Sequence, residues 1–92
     1  MEIELEQLTE EPWEYHITLL EDDTNLGEYV MTMTSDEYHG YGGTEDPDDV
    51  VRATFRFLLD REDPEMILER FSISVIEKHF PEYSEKLVDY FV

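Results

Sequence analysis

Trp13-Glu14-Tyr15-His16-Ile17-Thr18-Leu19-Leu20, then an acidic turn, then Tyr29-Val30-Met31-Thr32-Met33-Thr34: these two runs decide the fold. In the first, Trp13, Tyr15, Ile17 and Leu19 alternate with Glu14, His16 and Thr18. In the second, Tyr29, Met31 and Met33 alternate with Val30, Thr32 and Thr34. A period of two sends successive side chains to opposite faces, which predicts two half-buried strands. Between them, Glu21-Asp22-Asp23-Thr24-Asn25-Leu26-Gly27 is rich in turn formers, so the strands pair as a hairpin. Upstream, Ile3 and Leu5, with Gln7 continuing the row, alternate with Glu2, Glu4 and Glu6. That is an edge strand with its glutamates in water, and the N-terminal part reads as an antiparallel hairpin or a three-stranded meander.

Downstream the period changes. Residues 35–46 hold three of the four glycines and read as an exposed loop. Asp46-Pro47-Asp48-Asp49 then starts a helix, with Asp46 as N-cap, Pro47 in the first turn and acids where the helix dipole favours them. The helix runs to about Asp60, with Val50, Val51, Thr54, Phe55, Leu58 and Leu59 on one stripe that Phe57 widens. Asp63-Pro64-Glu65 repeats the start signal and predicts a short helix carrying Met66, Ile67 and Phe71. Ser74 and Glu77 fit a capping box, so residues 71–76 read as helix, with a strand over 71–75 as the competing reading. Pro81 opens a last amphipathic helix with Tyr83, Leu87, Tyr90 and Phe91. The expected fold is α+β: strands first, then about three helices packed on one face of the sheet, in a single domain spanning residues 1–92.

Composition limits the function. The 92 residues carry 25 Asp and Glu against 6 Lys and Arg, a formal charge of −19, while 40% hydrophobic residues suffice for a core. Six cations in such a field cannot neutralise a nucleic-acid backbone, and the same excess disfavours anionic membrane surfaces. The absence of cysteine removes disulfides, thiolate zinc sites and iron–sulfur clusters. No apolar run approaches the ~20 residues of a membrane span and the first residues are acidic, so a cytoplasmic location is expected. Lysine occurs only as Lys78 and Lys86 and the acids spread along the whole chain, which fits adaptation to a salty cytosol. An acidic face for a basic partner, or a cation site, are the other readings of the charge.

No pattern points to catalysis. His16, His39 and His79 are far apart in sequence and form no zinc-binding spacing. Aligning Gly27 on the glycine of a calcium loop places Leu26 and Met33 at ligand positions, where neither can coordinate. Gly40-Tyr41-Gly42-Gly43 lacks the lysine of a phosphate cradle and is followed by Glu45 and Asp46. Ser35, Ser72, Ser74 and Ser84 have no nucleophile-elbow setting. The chain is therefore expected to be no enzyme, to hold no metal or cofactor, and to act as an interaction domain whose partner is a basic protein or a second copy. Tyr38, His39 and Tyr41, aromatic residues in an acidic loop, are the candidate protein-contact residues. The cations read as helix-surface pairs: Arg52 with Asp48, Arg56 with Asp60, Arg61 with Glu65 and Lys86 with Glu82, with an Arg56/Arg61 patch as the alternative.

Phe55-Arg56-Phe57-Leu58-Leu59, Arg61-Glu62, Pro64-Glu65, Ile67-Leu68, Arg70-Phe71, Ser74-Val75-Ile76-Glu77 and Phe80-Pro81-Glu82-Tyr83 together resemble a family of small bacterial proteins without assigned activity. That likeness implies a shared fold and no chemistry. A weaker one is to HicB-type antitoxin domains, where a hairpin, a glycine-bearing loop and a threonine before an acidic helix start recur in order. Here residues 15–20 and 29–34, Gly43-Thr44 and residues 48–59 stand in that order. The resemblance implies a further strand after the helix, for which residues 71–75 are the candidate, and a basic toxin protein as partner.

Overall fold

In the computed structural model, residues 2–10, 12–42 and 46–91 are described. Each of the three alternating runs is a strand: β1 (Glu2–Thr9), β2 (Trp13–Glu21) and β3 (Thr24–Met33). They pair antiparallel, with Ile3 opposite Leu19, Leu5 opposite Ile17, Tyr15 opposite Met31 and Ile17 opposite Tyr29. The meander reading therefore holds, and the apolar partners share one face. Asp22 and Asp23, with φ of 51° and 66°, make the two-residue turn between β2 and β3. Positive φ at both central positions matches the right-handed twist of the strands, and aspartate tolerates it better than most residues. Beyond the turn the register shifts at Leu19/Leu20, and Leu26 is the extra residue of the bulge. Gly27 lies opposite Leu19 under the ring of Tyr29, where a β-carbon would collide with the phenol.

Residues 35–46, read as a loop, instead begin with a helix, α1 (Ser35–Gly42). The cause is a capping box that composition concealed. The Thr34 N–H donates to Glu37 Oε1 at 2.8 Å and the Glu37 N–H to Thr34 Oγ1 at 3.1 Å. Gly43, Thr44 and Glu45, on which part of the HicB likeness rests, lie outside the described residues.

Helix α2 (Pro47–Leu59) starts and ends as its caps and apolar stripe predict. Asp46 is the N-cap through its backbone carbonyl, which accepts from the Asp49 and Val50 N–H groups, and its carboxylate makes no cap bond. Val50, Val51, Ala53, Thr54, Phe55, Phe57 and Leu58 are all buried, more than one face of a helix needs. The excess has a reason: Phe55 packs towards the sheet against Tyr29 and Phe71, whereas Phe57 packs the other way against Phe80, Tyr83 and Tyr90.

The short helix expected after Asp63 is only a 3-10 turn, Pro64–Met66. The helix and strand readings of residues 71–76 divide the segment between them. β4 (Arg70–Ser72) pairs parallel to β3, and α3 (Ile73–His79) follows at once. Ser72 is the N-cap of α3, so Ser74 is inside the helix and the Ser74–Glu77 capping box does not form. The last predicted helix is α4 (Tyr83–Lys86) continued by a 3-10 turn, Leu87–Tyr90. The sheet order is β1-β2-β3-β4 with the helices on its apolar face, an α+β fold around one apolar cluster that includes Tyr15, Ile17, Met31, Phe55 and Tyr83. A radius of gyration of 12.2 Å is that of one domain of this length.

Candidate functional site

The three candidate contact residues all lie on α1. Tyr38 is half-buried, its ring edge-on to Trp13 with centroids 5.0 Å apart, and Tyr41 packs on Tyr83 at 5.1 Å. Burial, then the carboxylates of Glu77 and Glu37, push the Tyr41 hydroxyl up from its usual pKa. Only His39 is exposed. Helix formation places positions 38 and 41 on one stripe facing the core, so α1 packs both tyrosine rings against the core cluster.

A different surface gathers exposed apolar side chains. Met66 ends the 3-10 turn, and Ile67, in extended backbone, begins the link to β4 with its side chain turned inward between those of Met66 and Leu68. Ile67 is buried while Met66 and Leu68 are 65% and 54% exposed. Met66 thus leaves the core position expected of it on a helix. Both residues line a groove of about 260 Å³, whose floor is formed by Leu58, Phe71, Ile76 and Phe80. Glu62 and His79 also line it. Of the acidic side chains Glu62 lines it, while Asp63, Glu65 and Glu69 are exposed on the adjoining segment, and Lys78 adjoins His79 on α3. The signal for this groove was present in the sequence as three consecutive large apolar residues among acids.

The polar groups nearby tie elements together. Arg61 lies over the Phe57 ring at 3.8 Å and reaches Glu82 at 3.5 Å, not Glu65. The Tyr90 hydroxyl donates to Asp60 at 2.6 Å, and Arg56 turns to the Tyr90 carbonyl instead of Asp60. Arg52 pairs with Asp49 at 3.4 Å, and Asp48 accepts the hydroxyl of buried Tyr15 at 2.6 Å. That burial and the Asp48 carboxylate together push the Tyr15 phenol well above its usual range. On the sheet's outward face His16 meets Glu28 at 3.0 Å, and Arg70 crosses β3 to Glu14 at 2.9 Å. Among the described residues no three His, Asp or Glu side chains come together as a metal site, and no helix is long and apolar enough to cross a membrane. No family model, curated protein or solved structure matches the chain.

Proposed function

We propose that the protein is a non-enzymatic interaction domain with a salt-adapted surface, and that it takes a basic protein partner at the groove between α2 and α3. The observation that carries this reading is the exposure of Met66 and Leu68 at the mouth of an apolar groove. Full burial of such a side chain is worth about 1.5–3 kcal/mol, and the exposed part of each leaves a share of that for a partner's apolar side chain to recover. Glu62 on the groove and the exposed Asp63, Glu65 and Glu69 of the adjoining segment favour a basic partner, and at high ionic strength, where the Debye length falls to ~3 Å, the apolar floor carries the affinity. Acids on the outward strand face, at helix starts and on the segment 62–69 support the salt-adaptation part of the reading. A photo-crosslinking residue placed at Leu68 and, as a control of similar exposure, at Val88 tests the groove. A discrete adduct with a basic protein from position 68 alone supports it; equal labelling from both positions, or none, refutes it. For the salt adaptation, the melting temperature should rise between ~0.1 and ~2 M KCl, and a flat or falling response removes that part.

A second reading, a HicB-type antitoxin, is favoured by one observation: a strand follows the helix, as β4. Its partner would also be a basic protein.

A further inference from the structure

The strand order leaves β1 at an edge, and among the described residues no backbone group hydrogen-bonds to the outer side of Glu2–Thr9. Eight residues of backbone are open there, against three in β4 at the other edge. Such an edge is a template for another strand. Its side chains are sorted by face: Glu2, Glu4 and Glu6 stand exposed on the outward side, while Ile3 and Leu5 are half-buried on the inward side. Between β1 and α2 runs a cleft of about 590 Å³ lined by Glu2, Ile3, Arg52, Arg56, Leu59, Asp60 and Tyr90.

We propose that this edge binds an extended segment of a basic protein as an added strand, its lysines or arginines beside Glu2, Glu4 and Glu6 and its apolar side chains over the cleft. The three glutamates repeat at the strand period, so a segment with cations at every second position meets each of them at cross-strand distance. The opposite side of the segment meets the cleft, where Ile3, Leu59 and Tyr90 offer apolar surface and Arg52 and Arg56 are balanced by Glu2 and Asp60, so uncharged apolar side chains suit it. An alternating segment therefore fits both sides at once, and a block arrangement of the same residues fits worse. A second copy of this chain is the wrong occupant, because self-pairing sets one glutamate row beside another. The site is at the opposite edge of the sheet from the Met66–Leu68 groove and does not depend on it.

The test uses a short capped peptide alternating lysine and valine, a block peptide of the same composition, and two alternating peptides N-methylated either on the lysines or on the valines. The alternating peptide should bind at least roughly tenfold more tightly than the block peptide, slow amide exchange in β1, and lose roughly tenfold in one of its two N-methylated forms. The Glu4→Lys/Glu6→Lys variant should prefer an alternating glutamate–valine peptide, and Glu4→Gln/Glu6→Gln, which keeps the side-chain shape, should weaken the lysine peptide alone. Equal binding of block and alternating peptides, or no change in β1 exchange, overturns the proposal. Leu68→Asp leaves peptide binding unchanged if the two surfaces are independent, so failure at one edge is not mistaken for failure at the other.

Discussion

The two faces of the same strands have opposite tasks. On the inward face of β2 and β3, Tyr15, Ile17, Leu19, Tyr29, Met31 and Met33 are no more than 4% exposed. On the outward face Glu14, His16, Thr18, Glu28, Val30 and Thr32 keep contact with water. Backbone pairing is common to both, so the difference isolates what side chains contribute. Burial holds the fold together from one side, and the other side is left to carry charge.

The largest effect should follow from hollowing the inward layer. Phe55→Ala removes a fully buried ring that touches Tyr29 and Phe71, and should cost about 3–5 kcal/mol in urea denaturation. Thr18→Ala on the outward face should stay within about 0.5 kcal/mol; parity between the two would break the comparison. Alkaline pH probes the same layer. Burial raises the phenols of Tyr15 and Tyr83 in the folded state, so both stay protonated where the unfolded chain has begun to ionise. Their stabilisation is complete below the unfolded value of about 10 and is lost as pH rises beyond it. Melting curves should therefore fall steeply above that pH, and Tyr83→Phe should flatten the fall.

A smaller effect concerns the one polar residue in the buried layer of α2. Thr54 Oγ1 donates to the Val50 carbonyl at 2.7 Å and so accepts the Tyr83 hydroxyl at 2.7 Å. Thr54→Val leaves that phenol unpartnered and should cost about 1–3 kcal/mol, and the Thr54→Val/Tyr83→Phe pair should cost less than the sum of its parts in a double-mutant cycle. The smallest effect belongs to the outward face. Arg70→Ala breaks the ion pair with Glu14, and since Arg70 is largely exposed it should cost at most ~1 kcal/mol, less at high salt.

How much of this was legible follows from how far apart the deciding groups lie along the chain. β1 to β3 and α2 were readable because their signals are local: a period of two, a period of 3.6, and Asp-Pro starts. The helix α1 was also locally encoded, by Thr34 and Glu37, but three glycines between positions 35 and 46 outweighed that signal. By contrast β4 has three residues and exists because the far edge of β3 is free to take Val30–Arg70, Met31–Phe71 and Thr32–Ser72 pairs. The alternation over residues 71–75 offers a strand as one of two readings, but neither its parallel partner nor its end at Ser72 can be read from it. The arginine partners were misread for a related reason. Helical spacing offers Arg61 a neighbour at Glu65, but the helix ends at Leu59 and the chain turns away, leaving Glu82 nearer.

The sequence by itself determined the α+β class, the three alternating strands, the central helix and the acidic coat, because amphipathic period and charge are properties of neighbouring residues. Only the tertiary structure decided which surfaces stay open. Whether Met66 and Leu68 are covered, whether Tyr38 and Tyr41 point to solvent, and whether β1 has an outer neighbour depend on segments tens of residues away. Local pattern says that a side chain prefers burial, and the packing of distant elements determines whether a place for it exists.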